Sequence, residues 1–524
     1  MESRLKKEDI EEILSKRFAD DTCNSLASIP HPTELKDVEK AAKRVKIAIE
    51  NNEKIAVVGD YDADGVVSSV IMMEFFDDIG ANVVLKIPNR FEDGYGISPK
   101  IIENLDADLI ITVDNGISAV EAANLCKEKG VDLIITDHHT VPDTLPEAYA
   151  IINPKQHDCT FPTSEICGAQ VAWYFIAAIK DELGIDYNLS KFLDILAIAI
   201  VADMMELKGM NRTMVKNGLK KINKIERPFF KAVQNFYRKS SFKSDDISFL
   251  LAPVINSSGR LEDATLSYEL IRSKTELEAM QNLEYISGLN NQRKEIEHEL
   301  FEQAVLSVDE SQSIIVSWGE GWHEGVIGIV ASRLSRRYKK PAIVFSITEG
   351  KAKGSARSVG AINILEHISH QKEYLFGYGG HKGAAGMSLD ANSLEAFKKA
   401  IESELAEVDE EDFVERSEVV GEINPSAIGF ELLNILELYE PYGQKNPKPH
   451  FLLKNAYVKT GKVIGMNQNH QKLTLLSDEM TLESIEFNFD KEIKSGDHID
   501  LICSVSKNEF RGVVSAQIMI KQVL

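Results

Sequence analysis

The sequence predicts an α/β protein: a parallel-sheet domain, then a second α/β domain, then a C-terminal β-barrel. Between Lys54 and Asn153, short apolar runs rich in β-branched residues alternate with segments of helical length, which is typical of a parallel sheet with helices on both faces. A second alternation of this kind begins at Ile314. From Phe451 to Leu524 the chain is rich in short alternating strands, and this length suits an OB-fold.

In the first sheet, three of the predicted strands lead directly into an acidic residue. The predicted strands are Ile55–Val58, Val83–Ile87, Leu109–Val113, Leu133–Thr136 and Ala150–Ile152, with helices around Val66–Ile79, Pro99–Asn104 and Ser118–Lys129. Because the ends of parallel strands share one edge, Asp60, Asp114 and Asp137 are expected to converge there. Residues 168–308 are predicted to be mainly helical, with a buried helix at Asp194–Val201.

The composition is that of an ordinary globular chain with an acidic balance. Of 524 residues, 44% are hydrophobic and 27% are charged, and the formal net charge is −23. That charge weighs mildly against a nucleic-acid partner, since phosphate binding relies on lysine and arginine. The sequence has no membrane span and no signal-peptide pattern. Its five cysteines lack the CxxC spacing of a structural zinc site, so we expect a cytoplasmic protein without disulfides.

The stretch DYDADG, residues 60–65, begins like an EF-hand calcium loop. Such a loop needs a bidentate Glu at position 12 and a helix before it. Here position 12 is Ile71, and the apolar run Lys54–Gly59 before the loop has the pattern of a buried strand. The motif is therefore strand, acidic loop, helix, which is where parallel sheets place their ligands. The alternative is a solvated turn, but three carboxylates this close repel one another without a cation.

Acidic residues and histidines near the strand ends make up a candidate metal centre. The set is Asp60, Asp62 and Asp64 in DYDADG, Asp114 in VDNGIS, Asp137, His138 and His139 in TDHHT, and Asp203 in VADMMEL. Carboxylate with imidazole suits Mn²⁺ or Mg²⁺, and two such ions about 3.5–4 Å apart need roughly this many ligands. A single histidine is more often an ordinary core or surface residue, so the prediction depends on the whole set.

In order and spacing, these motifs resemble the signature motifs of the DHH phosphoesterase superfamily, and more narrowly those of the RecJ family of bacterial single-stranded-DNA-specific exonucleases. The resemblance covers roughly residues 30–524. Further segments that resemble the family are IPNR (87–90), DGYG (93–96), NSSGR (256–260), WHEGVIG (322–328), GSARS (354–358), GGH (379–381) and PYGQKNP (441–447). Val254 departs from the pattern, because relatives often carry Arg there.

The resemblance implies two sets of functional residues. The implied metal ligands are Asp62, Asp64, Asp114, His138 and Asp203, with Asp60 and His139 as further catalytic residues that bind metal or support the ligands. Two ions, Mn²⁺ or Mg²⁺, are implied. The implied substrate-binding residues are Arg90, Arg260, Ser355, Arg357, Gly379, Gly380 and His381. Glycine permits close approach to a phosphate and arginine grips it with two hydrogen bonds, although Gly379-Gly380 alone could equally be an ordinary loop.

The predicted domains follow from the patterns and the resemblance together. They are an N-terminal helical segment (1–50), a DHH catalytic domain (51–215), a helical connector (216–308), a DHH-associated substrate-binding domain (309–408) and an OB-fold-like nucleic-acid-binding domain (419–524).

The implied function is metal-dependent hydrolysis of single-stranded DNA, 5′→3′ to 5′-mononucleotides, by a two-metal-ion mechanism in DNA repair or recombination. One alternative is a DHH phosphodiesterase acting on short oligonucleotides or cyclic dinucleotides, but those relatives are shorter and lack such a tail. The other is a non-catalytic scaffold, but every metal position is intact here. The expected partner is single-stranded DNA, with a single-strand-binding protein as a further candidate and a monomer as the expected state.

Overall fold

The structure is a computed structural model, and it describes residues 4–414, 418–465, 468–489, 491–510 and 513–524. It begins with two helices, α1 (Lys7–Lys16) and α2 (Val38–Glu50). The first sheet and its helices follow: β1 (Ile55–Val58), α3 (Ala63–Asp78), β2 (Val83–Lys86), α4 (Pro99–Glu103), β3 (Leu109–Val113), α5 (Val120–Lys129), β4 (Asp132–Thr136) and β5 (Ala150–Ile152). All these strands are parallel, in the order β2-β1-β3-β4-β5, which confirms the predicted parallel-sheet domain.

The strand order places the acidic loops at a point where ligands bind in folds of this type. β1 and β3 are buried at every position, as expected for strands covered by helices on both faces. Val57 packs into the core shared with α3, and Val58 into the core shared with α5. From β1 the chain goes to β2 on one side, whereas β3 lies on the other. The order therefore reverses between β1 and β3, and open α/β sheets bind ligands at such a switch point.

A helical region joins the first sheet to the second domain. Its helices are α6 (Gly168–Leu183), α7 (Leu193–Ala202), α8 (Gly209–Ile222), α9 (Pro228–Tyr237), α10 (Ser244–Asp246), α11 (Ala252–Leu261), α12 (Thr265–Arg272) and α13 (Glu276–Val305). α7 contains the predicted buried helix. α13 has 30 residues, about 45 Å at 1.5 Å per residue. Near its start Leu283 packs in the core of the first domain, and near its end Phe301 packs in the next, so α13 links the two.

The second domain is a mixed sheet with helices. Its elements are β6 (Ile315–Glu320), α14 (Ile327–Tyr338), β7 (Ala342–Thr348), β8 (Lys351–Arg357), α15 (Ile364–His370), β9 (Leu375–His381), β10 (Ala384–Asp390) and α16 (Leu394–Leu405). The order is β6-β7-β8-β10-β9, and only β6 with β7 is a parallel pair within it. Gly379 and Gly380 pair with Gly386 and Ala385, so they belong to an edge strand and not to the ordinary loop considered above.

The last domain is a closed barrel. Its elements are β11 (Val419–Glu422), α17 (Phe430–Leu438), β12 (His450–Ile464), β13 (His470–Ser477), β14 (Met480–Phe487), β15 (His498–Phe510) and β16 (Val513–Val523). The order β12-β13-β14-β16-β15 closes because β15 also pairs with β12, which confirms the predicted OB-fold architecture. α1 belongs with this barrel: Ile10 and Leu14 lie in its core, and Leu5 forms a bridge to Ile423. Within the described residues, every helix is too short or too polar to cross a membrane.

A buried ion triad joins the first sheet to the helical region. Arg227, at the start of α9, donates to Glu74 of α3 at 2.6 Å and to Asp194 of α7 at 3.3 Å. No side chain of the three is more than 14% exposed. Burying such charges is tolerated only while they remain paired.

The substitution Arg227→Ala should lower the free energy of unfolding of this domain by about 3–5 kcal/mol, because two buried carboxylates lose their cation. The urea midpoint of the far-UV circular dichroism transition measures the loss. Lys221→Ala is the matched control, because its partner Glu226 is largely exposed and such a pair contributes at most about 1 kcal/mol. Equal urea midpoints for the two variants would contradict a stabilising role for the buried ion triad.

Candidate metal centre

The loop after β1 presents three carboxylates around the first turn of α3. Asp62 is the N-cap of that helix, and its Oδ1 accepts hydrogen bonds from the backbone N–H groups of Asp64 (2.9 Å) and Gly65 (3.1 Å). Residue 65 has to be glycine, since a Cβ there would lie 2.5 Å from the Cβ of Asp60. Asp60 and Asp64 are each only 2% exposed. The loop therefore keeps the carboxylates of Asp60 and Asp64 buried inside the protein.

Asp64 is positioned by a second helix. Its Oδ2 accepts from the N–H of Gly168 at 2.6 Å and its Oδ1 from the N–H of Ala169 at 2.9 Å. These amides begin α6, where the helix dipole favours negative charge. The fit is close, because a Cβ on Gly168 would lie 2.4 Å from Oδ1 of Asp114.

Asp114 follows β3 in the left-handed region, with φ of 64°. Its neighbour Asn115 is fully buried and donates through Nδ2 to the carbonyls of Val58 (3.1 Å) and Gly59 (2.9 Å). Asn115 thereby ties the end of β3 to the end of β1. The sequence did not predict this buried amide that bridges two strands.

In the motif after β4, His138 faces the carboxylates of the centre, whereas Asp137 bonds to neighbouring protein groups. His138 Nε2 lies 3.2 Å from Asp114 Oδ1, 3.5 Å from Asp203 Oδ2 and 3.7 Å from Asp64 Oδ2. One imidazole N–H cannot satisfy three carboxylates. Asp203 reaches the same point from the end of α7.

Asp137 of the same motif is occupied by protein partners. Its Oδ2 accepts from the N–H of Ile117 at 2.9 Å, and its Oδ1 lies 2.7 Å from both the N–H of His138 and Nδ1 of His139. Asp137 therefore orients the two histidines and has little left for a ligand.

The donor set fits a pair of cations. Among the described residues, three buried oxygens of this centre, Asp60 Oδ1, Asp114 Oδ1 and Asp203 Oδ2, have no hydrogen-bond partner. Ligand atoms come within 4.8 Å of one another in overlapping groups: Asp64, His138 and Asp203; Asp60, Asp62 and Asp114; Asp114, His138 and His139. Asp114 and His138 each occur in two of these groups, so these two residues connect them. Buried charges of this kind are normally paired or bound to metal.

Without a cation the centre would hold extra protons. Burial, reinforced by neighbouring carboxylates, raises the pKa of Asp64 to about 6 and that of Asp203 to about 9. Burial and the neighbouring His139 lower the pKa of His138 to about 3. Burial also opposes the charge on His139, but the hydrogen bond to Asp137 and the negative charges of Asp137, Asp203 and Asp62 together outweigh it and raise that pKa to about 9. His138 is therefore a neutral imidazole, the form that binds metal.

A cavity of about 600 Å³ opens between the first and second domains, beside the acidic loop that contains Tyr61. Arg90, Arg260, Ser355 and Arg357 all line it, as do Tyr61 and Tyr95, which the sequence did not single out. Of β9, Gly377 and Tyr378 line the cavity, whereas the predicted Gly379 and Gly380 lie farther along the exposed edge strand.

The arginines of this cavity are held by neutral groups. Arg90 stacks 3.9 Å above the Tyr61 ring and donates to the carbonyl of Gly259 at 3.0 Å. Arg260 donates to the carbonyl of Gly325 at 3.0 Å. Arg357 donates to Ser355 Oγ at 3.0 Å. In the described parts of the chain none of the three forms a salt bridge with a carboxylate, and burial together with the nearby arginines lowers the pKa of Arg260 to about 10.

His381 lies at the end of β9, beside the metal motif. Its Nδ1 is 3.3 Å from Oγ1 of Thr140, the residue that follows His139. Tyr95 approaches from the opposite loop, with its hydroxyl 3.4 Å from His139 Nε2. Tyr95 lies within the motif DGYG, which resembles the family pattern. That resemblance was the sequence signal that could have identified Tyr95 as a site residue.

Binding of Mn²⁺ should release protons, and the affinity should rise as the pH increases from about 6 to about 9, since Asp64 and Asp203 have pKa values of about 6 and about 9 and must ionise to bind. Isothermal titration at pH 7 in two buffers of different ionisation enthalpy counts the protons. Asp203→Asn should release fewer, and a heat of binding that does not depend on the buffer would contradict the expectation.

The same shifts determine how the stability of the metal-free protein depends on pH. Both pKa values exceed the roughly 3.9 of an aspartate in an unfolded chain, so the folded state binds more protons than the unfolded state. Stability should therefore fall as the pH rises from about 4 to about 9. Thermal melts with a chelator across this range measure it, and Asp203→Asn should flatten the dependence. A melting temperature that rises with pH would contradict the shifts.

Family models match three parts of the chain. They are the DHH family N-terminal domain at residues 54–200, the DHHA1 domain at 311–407 and the RecJ OB domain at 420–522.

Whole proteins match as well. The chain is 36% identical over 505 residues to the single-stranded-DNA-specific exonuclease RecJ of Bacillus subtilis, covering 94% of this chain and 64% of that protein. It is 32% identical over 530 residues to RecJ of Escherichia coli, covering 94% and 90%. The crystal structure of Thermus thermophilus RecJ in complex with Mn²⁺ superimposes with a TM-score of 0.85 at 27% identity, covering 98% of this chain and 74% of that one. The chain belongs to the RecJ family of single-stranded-DNA-specific exonucleases.

Proposed function

We propose that the protein is a metal-dependent exonuclease that hydrolyses single-stranded DNA, 5′→3′ to 5′-mononucleotides, in DNA repair or recombination. The observation that carries this proposal is that two unlike clusters lie next to each other: Tyr61, between Asp60 and Asp62, and Tyr95, whose hydroxyl is 3.4 Å from His139, both line the cavity that holds the arginines. Carboxylates and a neutral imidazole that suit cations converge in one cluster, and arginines held by neutral groups line the adjoining cavity. Hydrolysis of a phosphodiester needs both groups of residues. Acidic ligands would hold the cations at the reacting phosphate, and guanidinium groups offset its negative charge.

In the proposal, Asp62, Asp64, Asp114, His138 and Asp203 hold two ions, Mn²⁺ or Mg²⁺, with Asp60 and His139 beside them. Solved RecJ structures from Thermus thermophilus contain each of these metals. When bound, paired ions make water a nucleophile at neutral pH and stabilise the attacking and leaving oxygens.

The protein's own residues supply position and charge. Asp137 keeps the His139 ring in place through its 2.7 Å contact. Arg90, Arg260 and Arg357 bind the phosphate oxygens, since guanidinium groups match phosphate with paired hydrogen bonds. Ser355 lines the same cavity, and Gly379, Gly380 and His381, farther along β9, are proposed to contact the strand where it leaves the cavity. Stacking on Tyr61 restricts the conformations of the Arg90 side chain. Arg90 therefore loses little conformational entropy when it binds a phosphate.

The barrel at 419–524 is proposed to bind the single strand beyond the cavity, as OB-folds do with cations and aromatic platforms. The other predicted domain limits (1–50, 51–215, 216–308 and 309–408), a monomeric state, a cytoplasmic location and a single-strand-binding protein as partner stay predictions.

Asp114→Asn should reduce exonuclease activity by about 10²–10³ or more, the cost of losing one charge-stabilising group. Asparagine tolerates the left-handed backbone of residue 114, so folding is preserved. Oligonucleotides labelled at the 5′ or 3′ end, single-stranded or duplex, are incubated with Mn²⁺. Asp106→Asn is the matched control, because its side chain is 87% exposed.

Three outcomes of that assay distinguish the candidate functions. Loss of long single strands to mononucleotides supports the proposal. Hydrolysis of dinucleotides alone would instead identify a phosphodiesterase for short substrates. Full activity in Asp114→Asn would refute the metal assignment.

Arg357→Ala should weaken substrate use by roughly 10- to 150-fold in kcat/KM, the equivalent of about 1.5–3 kcal/mol for hydrogen bonds to a charged group. Arg336→Ala is the control, since Arg336 is exposed on α14. Removal of one phosphate contact should also lower the slope of log affinity against log salt by about 0.7 on single strands. An unchanged slope would place Arg357 away from the phosphate.

A further inference from the structure

A second cluster of metal-binding side chains lies in the second domain and shares no residue with the acidic centre. His367 and His370 lie one turn apart on α15, and Glu404 lies near the end of α16. The Nδ1 atoms of the two histidines are 2.6 Å and 2.8 Å from the same oxygen, Oε1 of Glu404. The ligand atoms of all three lie within 4.8 Å of one another.

The carboxylate of this cluster is already oriented. Gln371 is 9% exposed and donates through Nε2 to Oε2 of Glu404 at 2.6 Å. One oxygen is thereby anchored, and the other faces both imidazoles. Hydrogen bonds of this kind fix the ligands of metal sites in proteins. His370 is 56% exposed, whereas His367 and Glu404 are 17% and 25% exposed, so an ion can enter from the His370 side.

We propose that His367, His370 and Glu404 form a binding site for a transition-metal ion of the Zn²⁺ type. Two imidazoles and one carboxylate, with a position left for water, are an established zinc donor set. Donors around tetrahedral zinc stand about 3.3 Å apart for bonds of about 2.0 Å, so small side-chain rotations open the present contacts enough. When a metal replaces these hydrogen bonds, the proton on each Nδ1 moves to Nε2 of a neutral ring, or to solvent if the ring is already protonated at Nε2.

Ligand chemistry separates this site from the acidic centre. Imidazole favours zinc, copper and nickel, whereas carboxylate-rich sites favour magnesium and manganese. The acidic centre holds one imidazole facing three carboxylates, and the proposed site reverses that balance. The inference stands independently of the nuclease function proposed above.

A bound ion would cross-link α15 to α16 beside the strand that carries His381. The N–H of Ile364, the first residue of α15, donates to the carbonyl of Lys382 at 3.0 Å. The same helix leads through a short turn into β9. The site is therefore placed to stiffen both ends of the segment that contains Gly379 and Gly380.

The experiment titrates Zn²⁺ into the full chain in saturating Mg²⁺, which occupies the acidic centre. Wild type should bind one more Zn²⁺ than His370→Ala, and its melting temperature should rise with zinc more than that of the variant. Loss of a ligand should weaken binding at this site by at least about 100-fold. With Co²⁺ as probe, wild type should show visible d–d absorption that His370→Ala lacks.

His298→Ala is the matched control, because His298 is an exposed helical histidine with a single carboxylate, Glu302, 4.0 Å away. It should behave as wild type in all three measurements. Any zinc bound at the acidic centre is common to all variants and cancels in the comparison. Equal zinc stoichiometry and equal melting shifts in wild type and His370→Ala would overturn the proposal, and would identify the cluster as a hydrogen-bonded staple between α15 and α16.

Discussion

Repulsion among buried carboxylates at the carboxyl edge of the first sheet is the constraint on which the rest of the structure depends. Like charges this close cannot all ionise unless something offsets them, and the surrounding elements do part of this. The first backbone amides of α6 donate to Asp64, those of α3 donate to Asp62, and the backbone amide of Ile117 donates to Asp137. Within the part of the chain that the structure describes, Asp60 Oδ1, Asp114 Oδ1 and Asp203 Oδ2 have no hydrogen-bond partner, so bound cations would complete their coordination. Asn115 keeps β1 and β3 at the separation this needs.

The local grouping of arginines explains how a chain of net charge −23 can bind a polyanionic substrate. Net charge is a sum over the surface, whereas binding depends on the local field. The arginines of the cavity are supplied by separate parts of the chain: Arg90 from the loop after β2, Arg260 from α11 and Arg357 from β8. Only the folded arrangement gathers them, and neutral partners keep their charge available.

Much of this could be predicted from the sequence, because the chemistry lies in local motifs at strand ends. The five strands of the first sheet were placed to within a residue, since β-branched runs between helices are a strong local signal. What escaped prediction depends on contacts distant in sequence. The roles of Asn115 and Tyr95 require knowing which loops face each other, and Gly379-Gly380 gave no alternating pattern to mark a strand. His367, His370 and Glu404 carry no motif, because their convergence depends on the packing of α15 against α16.

The place of α1 within the C-terminal barrel has a consequence for biosynthesis. Leu5 lies beside Ile423, and Arg4 bonds to Glu422 across a sequence separation of 418 residues. Domains fold as they emerge from the ribosome. The apolar side of α1 cannot pack until the barrel strands have been synthesised. Ile10 and Leu14 therefore stay without their native packing partners until residues beyond 420 have been made, so α1 joins its own domain only after the two domains between them in sequence have emerged.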